Sequence, residues 1–113
     1  MNQVSARLRR ASNGYVHWCP ACEEAHTIFD NWQFDGNLER PTFIPSVKIT
    51  GVQTVVVDGR WTGEWVHDAA GNTVPLCCHY SLTAGVLQFH GDCTHRLKGQ
   101  KAPLPELPAH MKD

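Results

Sequence analysis

Hydrophobic and polar positions alternate with a period of two along most of this chain, and nowhere does a sustained helical period appear. Tyr15-Val16-His17-Trp18 is a short β-prone run, and Ala25-His26-Thr27-Ile28-Phe29 reads as its returning strand. Further on, Val52–Val57 leads into Asp58-Gly59, a strong two-residue hairpin signal, and Arg60–Val66 returns. Pairing across that turn puts Val52, Thr54, Val56, Trp61 and Trp65 on one face, where the tryptophans are expected to pack as core. Ala70-Gly71-Asn72 turns the chain into Val74–Leu82, and Ala84-Gly85 returns it through Val86–His90. In that register Leu82 faces Leu87 and Tyr80 faces Phe89, with Cys78 on the same inner face. His79, Ser81, Gln88 and His90 fall outside.

Three stretches resist this pattern. Residues 1–13 are polar and basic, with room for a short helical turn at Val4–Arg10, and read as a flexible N-terminal arm. Trp32–Ser46 is interrupted by Gly36, Pro41 and Pro45, so an ordered loop covering the core is expected there. Residues 102–113 carry prolines at 103, 105 and 108 and should lie as an extended C-terminal tail. The organisation expected is thus an arm at 1–13, a β domain at 14–101 and a tail at 102–113.

A chain of 113 residues has a thin core, so a cross-link would add stability that apolar packing struggles to supply. The first ten residues hold three arginines and no apolar run, so neither a signal peptide nor a membrane span is expected, and the protein should be cytoplasmic. In a reducing compartment five cysteines, an odd number, point to metal or thiol chemistry rather than to disulfides.

Cys19-Pro20-Ala21-Cys22 is the firmest chemical signal, because a two-residue spacer lets both thiolates converge on one tetrahedral ion. A redox pair would need a helix N-terminus within a βαβ unit, and no such unit is visible. Zn²⁺ is therefore the expected cofactor. The other half of its site should come from Cys77-Cys78-His79 and Asp92-Cys93-Thr94-His95, which the last hairpin sets side by side. Cys19, Cys22, Cys78 and Cys93 are the first choice of ligands, and Cys19, Cys22, Cys93 and His95 the second. His26 is available as a ligand or as a hydrogen-bonding neighbour. A zinc deaminase is excluded by the lack of His-x-Glu ahead of Pro-Cys-x-x-Cys.

Trp18-Cys19-Pro20-x-Cys22-x-x-x-His26, Arg40-Pro41-Thr42-Phe43-x-Pro45-Ser46-Val47, Cys78-His79 and Asp92-Cys93-Thr94-His95 form a further pattern. It resembles that of small phage and prophage proteins of unknown function that are often mislabelled as ammonia monooxygenases. The resemblance implies a phage origin and a functional set of Cys19, Cys22, His26, Cys78, His79, Asp92, Cys93 and His95. It implies no established activity, and the monooxygenase label requires membrane spans that this chain lacks.

The fold expected is mainly β: a small antiparallel zinc-ribbon-like domain with a Cys-x-x-Cys knuckle and a β-meander. The function expected first is that of a phage accessory factor. It would bind a host or phage protein through a zinc-stapled surface, without catalysis. The alternative is a zinc- or cysteine-dependent hydrolase using His79, Asp92 and His95. A nucleic-acid-binding ribbon would rest on Arg7, Arg9, Arg10, Arg96, Lys98 and Lys101, and a net charge of −1 does not favour it.

Overall fold

The computed structural model of the protein describes residues 2–58 and 60–113. It is mainly β and antiparallel throughout, as the alternation predicts. Strands β1 (Arg9–Ala11), β2 (Gly14–Cys19) and β3 (Glu24–Phe29) form a three-stranded meander. A five-stranded sheet has the order β10-β9-β8-β5-β4, built from β4 (Gln33–Phe34), β5 (Phe43–Val52), β8 (Pro75–Thr83), β9 (Val86–Phe89) and β10 (Lys101–Pro103). Between β5 and β8 in the chain, β6 (Thr54–Val57) and β7 (Arg60–Trp65) make a separate two-stranded sheet in which Val57 lies opposite Arg60. Gly59, the second residue of the expected turn, lies outside the described residues.

The core lies where the two larger sheets face each other. Phe43, Val47, Cys78, Tyr80, Leu82, Leu87 and Phe89 supply the inner face of the five-stranded sheet, and Cys19 and Ile28 come from the meander. The last hairpin has the expected register, with Tyr80 opposite Phe89 and Leu82 opposite Leu87. Its turn puts both Ala84 and Gly85 at positive φ, 48° and 77°, which matches the right-handed twist of the flanking strands. Gly14 is fixed by crowding: a Cβ there would collide with the backbone of Ile28 on β3.

Three expectations change. Residues placed in a flexible arm form β1 and contribute Leu8, fully buried, to the core. They are held by the tail, because Leu107 N–H donates to Ala6 O at 2.9 Å and the Arg7 guanidinium donates to Leu104 O at 2.9 Å. Leu104 and Leu107 are themselves buried, so the two ends of the chain brace each other. The expected loop Trp32–Ser46 supplies β4 and the start of β5. Pro45 is tolerated in β5 because it falls at a register shift between Phe43 and Val47, where no ladder N–H is required. Trp61 and Trp65 are exposed rather than core, their rings 5.1 Å apart and tilted by 51° on the β6–β7 hairpin.

These differences set unequal stabilities. Leu8→Ala should cost about 2–5 kcal/mol by opening a cavity between the sheets, whereas Trp61→Ser should stay within about 0.5 kcal/mol. Urea unfolding midpoints of the two variants check this.

Candidate metal centre and active site

The Cys19–Cys22 turn sits at the tip of the β2–β3 hairpin. Glu23 takes a left-handed φ of 54° and donates its N–H to Cys19 O at 2.9 Å, closing the turn. Cys22 N–H also points at Cys19 Sγ, 3.4 Å away. The register sets His17 opposite His26 and Cys19 opposite Glu24, so His26 lies one pleat behind the knuckle, buried. From the facing sheet, β8 directs Cys78 inward, its sulfur 4.0 Å from that of Cys19.

Ligand atoms of Cys19, Cys22, His26 and Cys78 all lie within 4.8 Å of one another. Sulfurs bound to one tetrahedral ion at about 2.3 Å stand about 3.8 Å apart, close to the Cys19–Cys78 separation. Both ring nitrogens of His26 are buried without a hydrogen-bond partner among the described residues, a costly state that coordination relieves at one of them. The residues present thus fit a metal ion, and three sulfurs with one imidazole suit a borderline-soft one.

Thiol electrostatics point the same way. Cys19 is held well below the usual thiol range by the hydrogen bonds its sulfur receives from Cys22 and Cys78, while Cys22 and Cys78 are pushed above that range by sharing the space with Cys19. A crowded trio can carry one negative charge without a cation, and a divalent ion allows all three. Around it, His17 Nε2 and Tyr80 OH meet at 2.6 Å, and burial drives His17 down to about 4, so its ring stays neutral.

Cys93, expected as the fourth ligand, lies elsewhere. Its sulfur accepts from His79 N–H at 3.2 Å and its thiol donates to His79 O at 3.2 Å, so it braces the backbone of β8. His26 stands in the ligand group in its place. His95 is also outside that group: its Nδ1 accepts from Leu97 N–H at 3.2 Å and its ring packs edge-on against Phe89.

The opposite face of the five-stranded sheet carries a second constellation. His79, directed outward as the register predicts, has Nε2 3.1 Å from Ser46 Oγ and Nδ1 3.1 Å from Asp92 Oδ1. Ser46 is on β5, His79 on β8, and Asp92 on the loop after β9. That loop is laid along β8 by two bonds, His90 N–H to His79 O at 2.8 Å and Thr94 N–H to Cys77 O at 2.9 Å. Asp92 is exposed, and although neighbouring protein atoms withdraw some of its water, hydrogen bonds from His79 and Lys48 outweigh that and hold the carboxyl below its usual range. Lys48 Nζ is 3.3 Å from the carboxylate. The His90 ring stacks on that of His79 at 4.0 Å and is tied to Ser81 Oγ at 3.0 Å. Serine hydroxyl, imidazole and carboxylate in hydrogen-bonded series are the parts of a nucleophile, a general base and its orienting anion.

The two sequence candidates His79 and Asp92 are therefore brought together, His95 is not, and Ser46 was not among the candidates. A signal for it existed. Ser46-Val47-Lys48-Ile49-Thr50 alternates polar and apolar, which marks a strand with Ser46 on the polar face. Pro45 masked it.

Residues 2–90 match the model of a family described as Bacterial ubiquitination-like system serine protease (BubE). No curated protein and no solved structure matches the chain. The family match overturns the expectation of a non-catalytic phage accessory factor, along with the metal- or cysteine-dependent hydrolase and the nucleic-acid ribbon offered beside it. The phage reading rested on the resemblance, the ribbon on clustered arginines and lysines, and the hydrolase on spare histidines and Asp92, and none of these draws attention to a serine. Among the described residues, no helix is long and apolar enough to cross a membrane.

Metal content separates the two sulfur roles. Cys19→Ser, Cys22→Ser, Cys78→Ser and His26→Ala should each lose the bound metal and the cooperative unfolding transition, since a thin core has little stability in reserve. Cys77→Ser and Cys93→Ser should keep the metal, as read by elemental analysis of the purified variants.

Proposed function

The chain belongs to the bacterial ubiquitination-like system serine proteases, and on that premise we propose that it cleaves an amide bond with Ser46 as nucleophile, His79 as general base and Asp92 as the orienting carboxylate. The observation that carries the proposal is the unbroken hydrogen-bonded series Ser46 Oγ, His79 Nε2, His79 Nδ1, Asp92 Oδ1 in a member of that family.

The roles follow from the atoms. As Ser46 Oγ bonds to the carbonyl carbon, its proton passes to His79 Nε2, and the imidazolium is stabilised by Asp92 at Nδ1. The same proton then goes to the amine nitrogen as the carbon–nitrogen bond breaks, leaving an ester on Ser46. Water, deprotonated by His79, hydrolyses that ester and restores the hydroxyl. Asp92 is kept ionised by its bonds to His79 and Lys48, so it holds the tautomer that leaves Nε2 free to accept. The family description supports a peptide or isopeptide bond within a ubiquitination-like system as the bond cut.

The metal, on this reading, is zinc with a structural task. Cys19, Cys22, His26 and Cys78 would hold it with four protein donors, which leaves no position for a reacting water. They also lie inward of the sheet whose outer face bears Ser46. When bound, zinc supplies folding free energy by joining the knuckle to β8.

A fluorophosphonate, which forms a bond to an activated serine oxygen, tests the assignment. Wild-type protein should be labelled at Ser46, and Ser46→Ala should lose labelling while keeping metal and melting temperature. His79→Ala should abolish labelling, and Asp92→Asn should slow it on the order of 10³- to 10⁴-fold. Labelling that persists in Ser46→Ala would sink the assignment.

A further inference from the structure

The strand that carries Ser46 is paired on one side only. β4 covers β5 at two positions, with Gln33 opposite Ile44 and Phe34 opposite Phe43, and beyond them β5 has β8 as its single neighbour among the described strands. The register shows which backbone groups are left over. Lys48 lies opposite His79 and Thr50 opposite Cys77. On β8, the amide groups of those two residues point away from β5. His79 bonds to His90 and Cys93, and Cys77 bonds to both the N–H and the hydroxyl of Thr94.

In an antiparallel ladder, residues opposite one another direct their amides either both toward or both away from the shared boundary. Lys48 and Thr50 therefore turn their N–H and C=O groups to the open edge of β5, where neither has a backbone partner among the described residues. Both residues are exposed. Just before them, the Trp32 indole occupies that edge, donating to Pro45 O at 2.8 Å and reaching Ser46 O at 3.4 Å.

An edge of this kind invites another strand. Resting on the protease reading above, we propose that the open edge of β5 at Lys48 and Thr50 is the substrate-binding site, and that its occupant is an extended, unfolded segment of the substrate ending at the bond cut. The occupant is set by position: the free amides begin two residues from the nucleophile, so a chain delivering its carbonyl to Ser46 passes along them. Strand addition of this type draws affinity from main-chain bonds and tolerates varied side chains.

Direction and register follow. An antiparallel strand paired with Lys48 and Thr50 reaches Ser46 where the Trp32 indole already takes up the edge, so the residue bearing the attacked carbonyl leaves the ladder there and stands over Ser46. The third residue, counted back from the cut, then lies opposite Lys48 and the fifth opposite Thr50, each exchanging two bonds with the edge. Amides of the second and fourth residues point away from β5. The acyl side of the substrate is thereby gripped, and the leaving side extends past Trp32.

Two diphenyl phosphonate probes on the intact wild-type protein test this: acetyl-alanine phosphonate and its acetyl-pentaalanine analogue. In each, Ser46 Oγ bonds to phosphorus, one phenoxide leaves, and the serine proton passes to His79. The longer probe should react about tenfold faster or more. N-methylation of its third residue should remove most of that gain, and N-methylation of its second should not. In the reacted protein, the amide protons of Lys48 and Thr50 should exchange more slowly with solvent under the long probe than under the short one. Equal rates for the two probes, equal effects of the two N-methyl groups, or unchanged exchange at Lys48 and Thr50 would overturn the edge site while leaving Ser46 reactive. Failure of Ser46 to react with either probe would overturn the protease reading itself.

Discussion

The alternation of side chains along β8 is the constraint on which the rest of the molecule depends. Cys78 and His79 are neighbours, so they must point to opposite faces of the five-stranded sheet. Inward, Cys78 meets the Cys19–Cys22 knuckle and His26 in the buried layer between the sheets. Outward, His79 meets Ser46 and Asp92. A shift of β8 by one residue would exchange the faces and destroy both arrangements together. Whatever fixes the register of β8 therefore fixes the chemistry, and a metal on Cys78 acts on that register directly.

The same strand explains why the cysteines divide as they do. Cys78 has a sulfur 4.0 Å away at Cys19 and lies in the crowded trio, where a cation removes the penalty of adjacent thiolates. Cys93 bonds to the main chain of His79, and burial raises its thiol, so it remains a neutral donor and acceptor beside His79. One sulfur holds β8 from beneath and the other from its flank. Between them the His79 imidazole gains a rigid backbone, which is what the proposed general base would need.

The outer face of the five-stranded sheet is also tied by polar contacts that reach beyond Ser46, His79 and Asp92. Lys48 shares the carboxylate of Asp92, and His90 lies flat on His79 while bonded to Ser81. These contacts restrict the rotation of His79 about its own axis, so its two nitrogens stay aligned with Ser46 on one side and Asp92 on the other. Positioning of this kind supplies much of what a triad contributes beyond the chemistry of its members.

Local pattern was enough for β2, β3, β6, β7, β8 and β9, the register of the last hairpin and the inward and outward faces of β8, because each depends on the period of two and on turn residues a few positions apart. The Cys19-x-x-Cys22 half of the metal centre and the outward histidine were legible for the same reason. Other features depended on contacts between distant segments. His26 replaces Cys93 in the ligand group because the β2–β3 register aims its ring at the knuckle, while the loop after β9 turns Cys93 onto the main chain. The N-terminal segment is ordered because the tail lies on it, a pairing across about a hundred positions that no local period encodes. Ser46 was hidden because a proline that reads as a break sits at a bulge, where the missing N–H costs nothing. Only the sheet order, which sets β5 beside β8, could bring that serine to the histidine.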